Sequence, residues 1–102
     1  MDNRSKRPDE NIYTYFTEVL NADTSLHIHA MDILHRQLIV QNTDVRDQNM
    51  KVVWQDSKVT LDFKDSFKHY LSKRCVVPAR TADEALDVIS TSIRQLFDRK
   101  SL

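Results

Sequence analysis

The chain of 102 residues contains no glycine. Because glycine adopts the positive φ angles that tight turns require, its absence disfavours β-hairpins, phosphate-binding loops and dinucleotide-binding folds. No apolar run is long enough for a membrane helix or a signal peptide. The single cysteine, Cys75, excludes an internal disulfide and fits a reducing compartment. We therefore expect an all-helical, soluble, intracellular protein.

Apolar residues and excess charge are also scarce. Hydrophobic residues make up 40% of the chain and charged residues 29%, so a single domain of this size has a small core. Fifteen basic residues balance fifteen acidic ones, for a formal net charge of +0. Bulk charge therefore gives no reason to expect nucleic-acid binding, and any such binding must use a local basic patch.

Apolar residues at helical spacing predict a series of helices. The first begins near Pro8, whose fixed φ suits a first turn. A continuous second helix is predicted over 27–54, since neither glycine nor proline interrupts it. A third ends before Pro78, which disfavours helix at the preceding residue. Thr81 and Glu84 match a capping box that begins a C-terminal helix.

This order of helices resembles core histone 2B along nearly the whole chain. The run ENIYTYFTEVL (10–20) is similar to the family's first helix, which opens with Glu and reaches Val-Leu through a Tyr-rich run. DTSLHIHAM (23–31) aligns without a gap with the family's Asp-Thr-Gly-Ile-Ser-Ser-Lys-Ala-Met loop, and DSKVTLD (56–62) with its Lys-Arg-Ser-Thr-Ile-Thr loop. RCVVP (74–78) resembles the Arg-Leu-Leu-Leu-Pro end of the third helix.

The resemblance implies an all-α histone fold with a short N-terminal tail (1–8), the histone fold itself (9–78) and an appended C-terminal helix (79–102). It implies an obligate heterodimer with a histone 2A-like chain. The pair would package double-stranded DNA without sequence specificity in nucleosome-type particles, with a histone 3/4-type tetramer in an octamer. The expected location is nuclear chromatin, or a viral particle for a viral copy. The alternative is a histone-fold subunit of a non-nucleosomal transcription or chromatin complex that acts by heterodimerisation.

The sequence also departs from the family. The long basic tail is missing, and Arg80 and Val88 stand where the family carries its acidic-patch glutamates. Both the lost tail and the neutral charge favour the non-nucleosomal alternative, whereas the loop-by-loop match favours the nucleosome.

The resemblance further implies which residues act. In this family, backbone amides and basic side chains at helix N-termini and loops bind phosphates. The matching DNA-binding positions are Arg4, Lys6, Arg7, Thr24, Ser25, His27, Ser57, Lys58 and Thr60. The expected partner interface consists of Met31, Leu34, Leu38, Val45, Val52, Phe63, Phe67, Tyr70 and Leu71. The alternative interpretation of Lys58 and the N-terminal basic residues is that they are ordinary solvated charges.

No catalytic, metal or cofactor site is expected. His27 and His29 would point to different sides of a helix, and no cysteine pair completes a zinc site with them. Cys75 lacks an arranged base, because His69 lies off its face of the predicted helix. Trp54 is interpreted as a packing residue. We therefore expect a protein that is not an enzyme and that needs no cofactor.

Overall fold

The computed structural model describes residues 8–66 and 71–98, and it shows a sheet with two helices, not an all-α histone fold. The elements in chain order are helix α1 (Pro8–Ala22), a 3-10 turn (Thr24–Leu26), β1 (Ile28–Ile33), β2 (Gln37–Asn42), β3 (Gln48–Gln55), β4 (Lys58–Asp65), β5 (Leu71–Pro78) and helix α2 (Ala82–Leu96). The predicted helix over 27–54 is wrong, because β1, β2 and β3 occupy that segment. The predicted third helix is wrong too, because β4 and β5 take its place.

The strands form one antiparallel meander in which each strand pairs with the next, in the order β1-β2-β3-β4-β5. One row across the sheet runs through Ala30, Val40, Met50, Phe63 and Lys73. These side chains share a face, since directly paired residues point the same way. The first four are buried and mark the core side of the sheet, whereas Lys73 is exposed. The Lys73 end of β5 therefore lies beyond the part of the sheet that the core covers, whereas Cys75 and Val77 pack against the core.

Strand β4 shows why this part of the chain is extended. Val59, Leu61 and Phe63 are buried, and the residues between them are not. This alternation has the period of a strand, not of a helix. Strand β3 repeats it with Met50 and Val52 on the core side. The fold follows this alternation and not the helical spacing.

The turns of the sheet use positive φ without glycine. Leu34 and His35 (φ 53° and 57°) join β1 to β2, and Asp56 and Ser57 (φ 55° and 59°) join β3 to β4. Asp47, directly before β3, has φ 71°. The prediction that a glycine-free chain avoids hairpins is therefore wrong. The left-handed conformation costs an L-residue about 1–2 kcal/mol, a cost that burial of the strands in the core outweighs.

Both helices pack on the core side and share one hydrophobic cluster with the sheet. Phe16 of α1 is fully buried, and its ring lies 5.8 Å from the Trp54 ring, centroid to centroid. The backbone N–H of Trp54 donates to the Tyr13 hydroxyl at 2.9 Å. Beyond α2, the Phe97 ring lies 5.6 Å from that of Phe63. The interpretation of Trp54 as a packing residue is confirmed, and the chain has a core of its own.

The two terminal helices confirm those that the sequence predicts. At the start of α2 the Glu84 N–H donates to Thr81 Oγ1 at 3.1 Å, and the Thr81 N–H donates to Glu84 Oε1 at 3.3 Å. These bonds are the predicted capping box. They join residues three apart in the chain, so the sequence alone is sufficient to predict them.

Candidate functional site

The second face of the sheet, which we call the open face, points away from both described helices. Its side chains are those that alternate with the buried residues along each strand. One row runs through Arg74, Asp62, Lys51, Ile39 and Met31. In the neighbouring row, Val76, Thr60 and Val53 pair across β5, β4 and β3, and Gln37 and Ile33 pair across β2 and β1. The open face is thus a five-strand surface of mixed apolar and charged side chains.

Five aliphatic and thioether side chains of the open face form what we call the apolar patch: Met31, Ile33, Ile39, Val53 and Val76. The register places Met31 beside Ile39 and puts the other three in the adjacent row. Val76 is 54% exposed, and the rest are partly exposed. Thr60 separates Val76 from Val53, so the contiguous part of the patch consists of Met31, Ile33, Ile39 and Val53. Exposed apolar patches with polar residues at their rim mark interaction sites.

A basic cluster accompanies the apolar patch on the same face: Lys51, Lys58, Lys64 and Arg74. Asp62 is the one carboxylate at the outward positions of the described strands. It binds Arg74 in a fork, with 2.7 Å from Nε to Oδ1 and 3.4 Å from Nη2 to Oδ2. This hydrogen bond raises the pKa of Arg74, whose guanidinium is charged in any case. The open face therefore keeps an excess of positive charge.

The helices carry the opposite charge. Helix α1 contains Asp9, Glu10 and Glu18 and no basic residue. Helix α2 contains one basic residue, Arg94, and three acidic ones, which are Asp83, Glu84 and Asp87. Within residues 8–66 and 71–98, the outward strand positions are therefore net positive and the two helices net negative, although the formal net charge of the chain is +0. Strand alternation produces this separation, and total charge does not reveal it.

A groove between the helices concentrates part of the negative charge. Val19, Leu20, Leu26 and Leu86 supply apolar walls, and the groove has a volume of about 280 Å³. Carboxylates at its rim are Asp23, Asp83 and Asp87. The Ser25 hydroxyl donates to Asp23 and lowers its pKa, with a further contribution from Arg94 at 3.3 Å. These carboxylates already bind groups of the chain, or lie in solvent, as capping and surface charges do.

The residues predicted to bind DNA fall into separate groups. Outside the described residues lie Arg4, Lys6 and Arg7. At the end of the sheet where β1 begins lie Thr24, Ser25 and His27. In the turn and strand at the opposite end lie Ser57, Lys58 and Thr60. About 20 Å of strand, at roughly 3.3 Å per residue, separates the two described groups, so they do not form one phosphate-binding surface.

The residues predicted to contact a histone partner also separate. The chain's own core contains Leu38, Val52 and Phe63, which are at most 2% exposed and cannot reach a partner while the domain stays folded. Met31 belongs to the apolar patch, and Leu34 is 81% exposed at the β1–β2 turn. Val45 is half-buried in the β2–β3 loop. Phe67 and Tyr70 lie outside the described residues, and Leu71 begins β5.

Thr14, Asp32 and His35 make the arrangement closest to a catalytic triad. Thr14 Oγ1 donates to Asp32 Oδ2 at 2.8 Å, and His35 Nδ1 lies 2.7 Å from the same oxygen. A triad requires carboxylate and hydroxyl on opposite ring nitrogens, whereas here both meet Nδ1, with Thr14 Oγ1 at 3.4 Å. The group ties α1 to the β1–β2 turn, and no nucleophile is activated.

Metal and thiol chemistry have no built site in the described part of the chain. Residues 8–66 and 71–98 contain no group of three or more His, Cys, Asp or Glu side chains that could hold a metal ion. His27 Nδ1 lies 3.6 Å from Asp44 Oδ2, which ties the start of β1 to the β2–β3 loop. Cys75 is a free, half-buried thiol on the core side of β5. His69 lies outside the described residues.

Comparison with protein-family models, with curated proteins and with solved structures finds no match to this chain. Nothing therefore supports the resemblance to histone 2B, and the sheet contradicts the histone fold that it implied. Within the described residues, no helix is both long and apolar enough to cross a membrane. Any functional assignment must consequently come from the surface itself.

Sequence reasoning missed the open face, although a signal for it exists. In the run KVTLDFK (58–64) of β4, apolar and polar residues alternate strictly. The same alternation continues through Met50 and Val52 in β3. Once this period is recognised, the residues between the buried positions define the outward face, including Lys51 and Thr60. The register that joins these strands into one surface depends on turns that the sequence does not announce with glycine.

Proposed function

We propose that this chain is a protein-binding module that holds an acidic protein partner against the open face of its sheet. The observation that carries the proposal is the apolar patch, with the basic cluster beside it on β3, β4 and β5, on the face that neither described helix covers. None of the patch residues belongs to the hydrophobic cluster of the described residues, which lies on the other side of the sheet.

The two kinds of side chain have different roles in such an interface. Burial of the apolar patch stabilises the complex at about 25 cal/mol per Å² removed from water. The basic cluster steers an acidic partner and raises the association rate, and it repels basic surfaces. Asp62 holds Arg74 in place, which lowers the conformational entropy that this long side chain loses on binding.

A protein partner fits the open face better than a nucleic acid does. Sheets that bind single strands stack bases on outward aromatic side chains. Among the outward positions of the described strands there is no Phe, Tyr or Trp, since Trp54 and Phe63 lie on the core side. Duplex DNA requires an element that enters a groove or a continuous line of phosphate contacts, and the predicted phosphate-binding residues are split between two ends of the sheet. DNA binding stays a prediction.

Photo-crosslinking from matched positions tests the proposal. Gln41 is an exposed glutamine on the open face, and Gln95 is an exposed glutamine on α2. With a photo-reactive amino acid at either position in the full chain, expressed in cells, we expect Gln41 to crosslink to a protein segment rich in Asp and Glu. We expect no such product from Gln95. Equal crosslinking of one protein from both positions would contradict the proposal.

Charge reversal on the open face, measured with the partner that the crosslinking identifies, then gives the quantitative test. We expect Lys51→Glu with Lys64→Glu to weaken binding of the purified partner at least tenfold. The control is Glu18→Lys with Asp87→Lys on the helices, which we expect to change the affinity less than twofold. A 20-base-pair duplex is titrated in parallel. If the duplex binds the open face more tightly than any protein segment does, the module binds nucleic acid and the proposal is wrong.

A further inference from the structure

The described sheet has two outer edges, β1 and β5, and the edge of β5 carries exposed cations. Strand β5 is last in the strand order and pairs with β4 alone. Its residues Ser72, Lys73, Arg74 and Val76 are exposed. We propose that this edge accepts an extended acidic segment of the protein partner as a sixth strand. The inference deepens the proposed function and rests on it, because the segment would continue the open face.

The phase of the β3–β4 turn determines which amides of β5 point outward. Gln55 and Lys58 flank a two-residue turn and form a hydrogen-bonded pair. Alternate residues of β4, beginning with Val59, therefore direct their backbone groups to β5. The Ala79 N–H donates to the Ser57 carbonyl at 2.9 Å, in the same phase.

In β5, the residues opposite these alternate β4 residues, and hydrogen-bonded to them, are Leu71, Lys73, Cys75 and Val77. The N–H and C=O groups of Ser72, Arg74 and Val76 consequently point away from the sheet. Three consecutive outward N–H groups and three carbonyls are what an added strand requires.

The charges on this edge select the occupant. Arg74 points to the open face and Lys73 to the core side, so cations flank the edge on both faces. A second copy pairing through the same edge would bring these cations against each other, which disfavours a dimer. An acidic segment meets opposite charge on both faces instead.

The register specifies the segment further. An added residue beside Val76 meets the apolar patch, and one beside Cys75 meets a half-buried thiol, so both positions favour small aliphatic side chains. The next two lie beside Arg74 and Lys73 and favour carboxylates. An antiparallel segment, the slightly more stable orientation, therefore reads aliphatic, aliphatic, acidic, acidic.

A capped peptide Ser-Thr-Val-Val-Glu-Glu-Thr-Ser is the probe. We expect saturating peptide to slow hydrogen exchange of the Ser72, Arg74 and Val76 amides at least tenfold in the full chain. A peptide with Lys in place of Glu should give less than twofold slowing. A peptide N-methylated at the alternate amides that face β5 should also give none, since methylation removes the donors of an added strand. Unchanged exchange with the first peptide, or equal slowing by all of them, would overturn the inference.

The variant Val76→Pro separates the edge from the open face. Proline removes an N–H that no described strand uses, so the sheet should retain its fold. We expect this variant to weaken binding of the crosslinked partner at least tenfold. Val76→Thr retains the N–H and should weaken binding less than threefold. If Lys51→Glu with Lys64→Glu abolishes binding while Val76→Pro and the methylated segment bind normally, the edge inference is wrong and the open-face proposal stands. If neither set of changes matters, both are wrong.

Discussion

The two edges of the sheet, β1 and β5, are protected by different chemistry. On β1, the Ala30 N–H donates to Asn21 Oδ1 at 2.7 Å, and Asn21 Nδ2 donates to the Ala30 carbonyl at 3.0 Å. A side-chain amide of α1 thus takes the place of a neighbouring strand. On β5 no side chain in the described part of the chain does so, and exposed Lys73 and Arg74 stand there instead. At Ala30 the backbone groups of β1 are therefore occupied, whereas a charged edge excludes like-charged strands only.

Proline substitution at an inward-bonded and an outward-facing position of β5 gives the largest expected effect. Lys73 is paired with Phe63 in the ladder, so Lys73→Pro removes an internal hydrogen bond and should lower the free energy of unfolding by about 3 kcal/mol. Val76→Pro removes an outward N–H and should cost about 1 kcal/mol or less. Urea unfolding of both variants measures the difference. Similar losses for the two would show that the outward edge of β5 is bonded after all.

Opening the capped edge comes next. Asn21→Ala removes both bonds to Ala30 and leaves a backbone N–H and C=O without these partners, so we expect a loss of about 2 kcal/mol in the free energy of unfolding. Asn49→Ala on the open face is the control, and it should stay within about 0.5 kcal/mol of the unmodified chain. Faster exchange of the Ala30 amide in Asn21→Ala alone would confirm the cap. Equal stability of the two variants would contradict it.

The β3–β4 turn sets the phase of β5, and a third variant tests its strain. Ser57 has φ 59°, and Ser57→Gly creates the Asp-Gly pair that a two-residue hairpin favours. We expect stabilisation by about 1 kcal/mol from relief of the left-handed cost. The same change at Ser90, inside α2, should destabilise by about 1 kcal/mol. Thermal unfolding compares the two. A destabilised Ser57→Gly would mean that the turn is not strained.

The charges of β5 have the smallest expected effect on stability. Lys73→Thr with Arg74→Thr should change the free energy of unfolding by less than about 0.5 kcal/mol, because both side chains are exposed. The same pair of changes removes the repulsion between two copies, so we expect edge-to-edge dimers at concentrations on the order of 100 µM. Lys51→Thr with Lys64→Thr makes the same charge change on inner strands and should stay monomeric. Sedimentation velocity distinguishes these results, and a monomeric edge variant would show that charge does not guard β5.

The parts of the fold that sequence predicts are those with local causes. Thr81 and Glu84 cap a helix whose start they determine between them, and Pro8 begins another. The middle of the chain fails for a different reason. Leu34 and Ser57 are poor sequence markers of a left-handed turn, and only the pairing of the flanking strands holds them there. Without marked turns, the apolar residues of 27–54 fit a helix nearly as well as strands.

The sequence by itself determined the terminal helices, the alternation of β4 and the equal numbers of acidic and basic residues. Tertiary structure alone decided that Lys51, Lys64 and Arg74 gather on one face and that α1 reaches across to close β1 through Asn21. The physical reason is the range of the interactions. A cap joins residues three apart, whereas strand register and the choice of which edge stays open depend on contacts between distant parts of the chain.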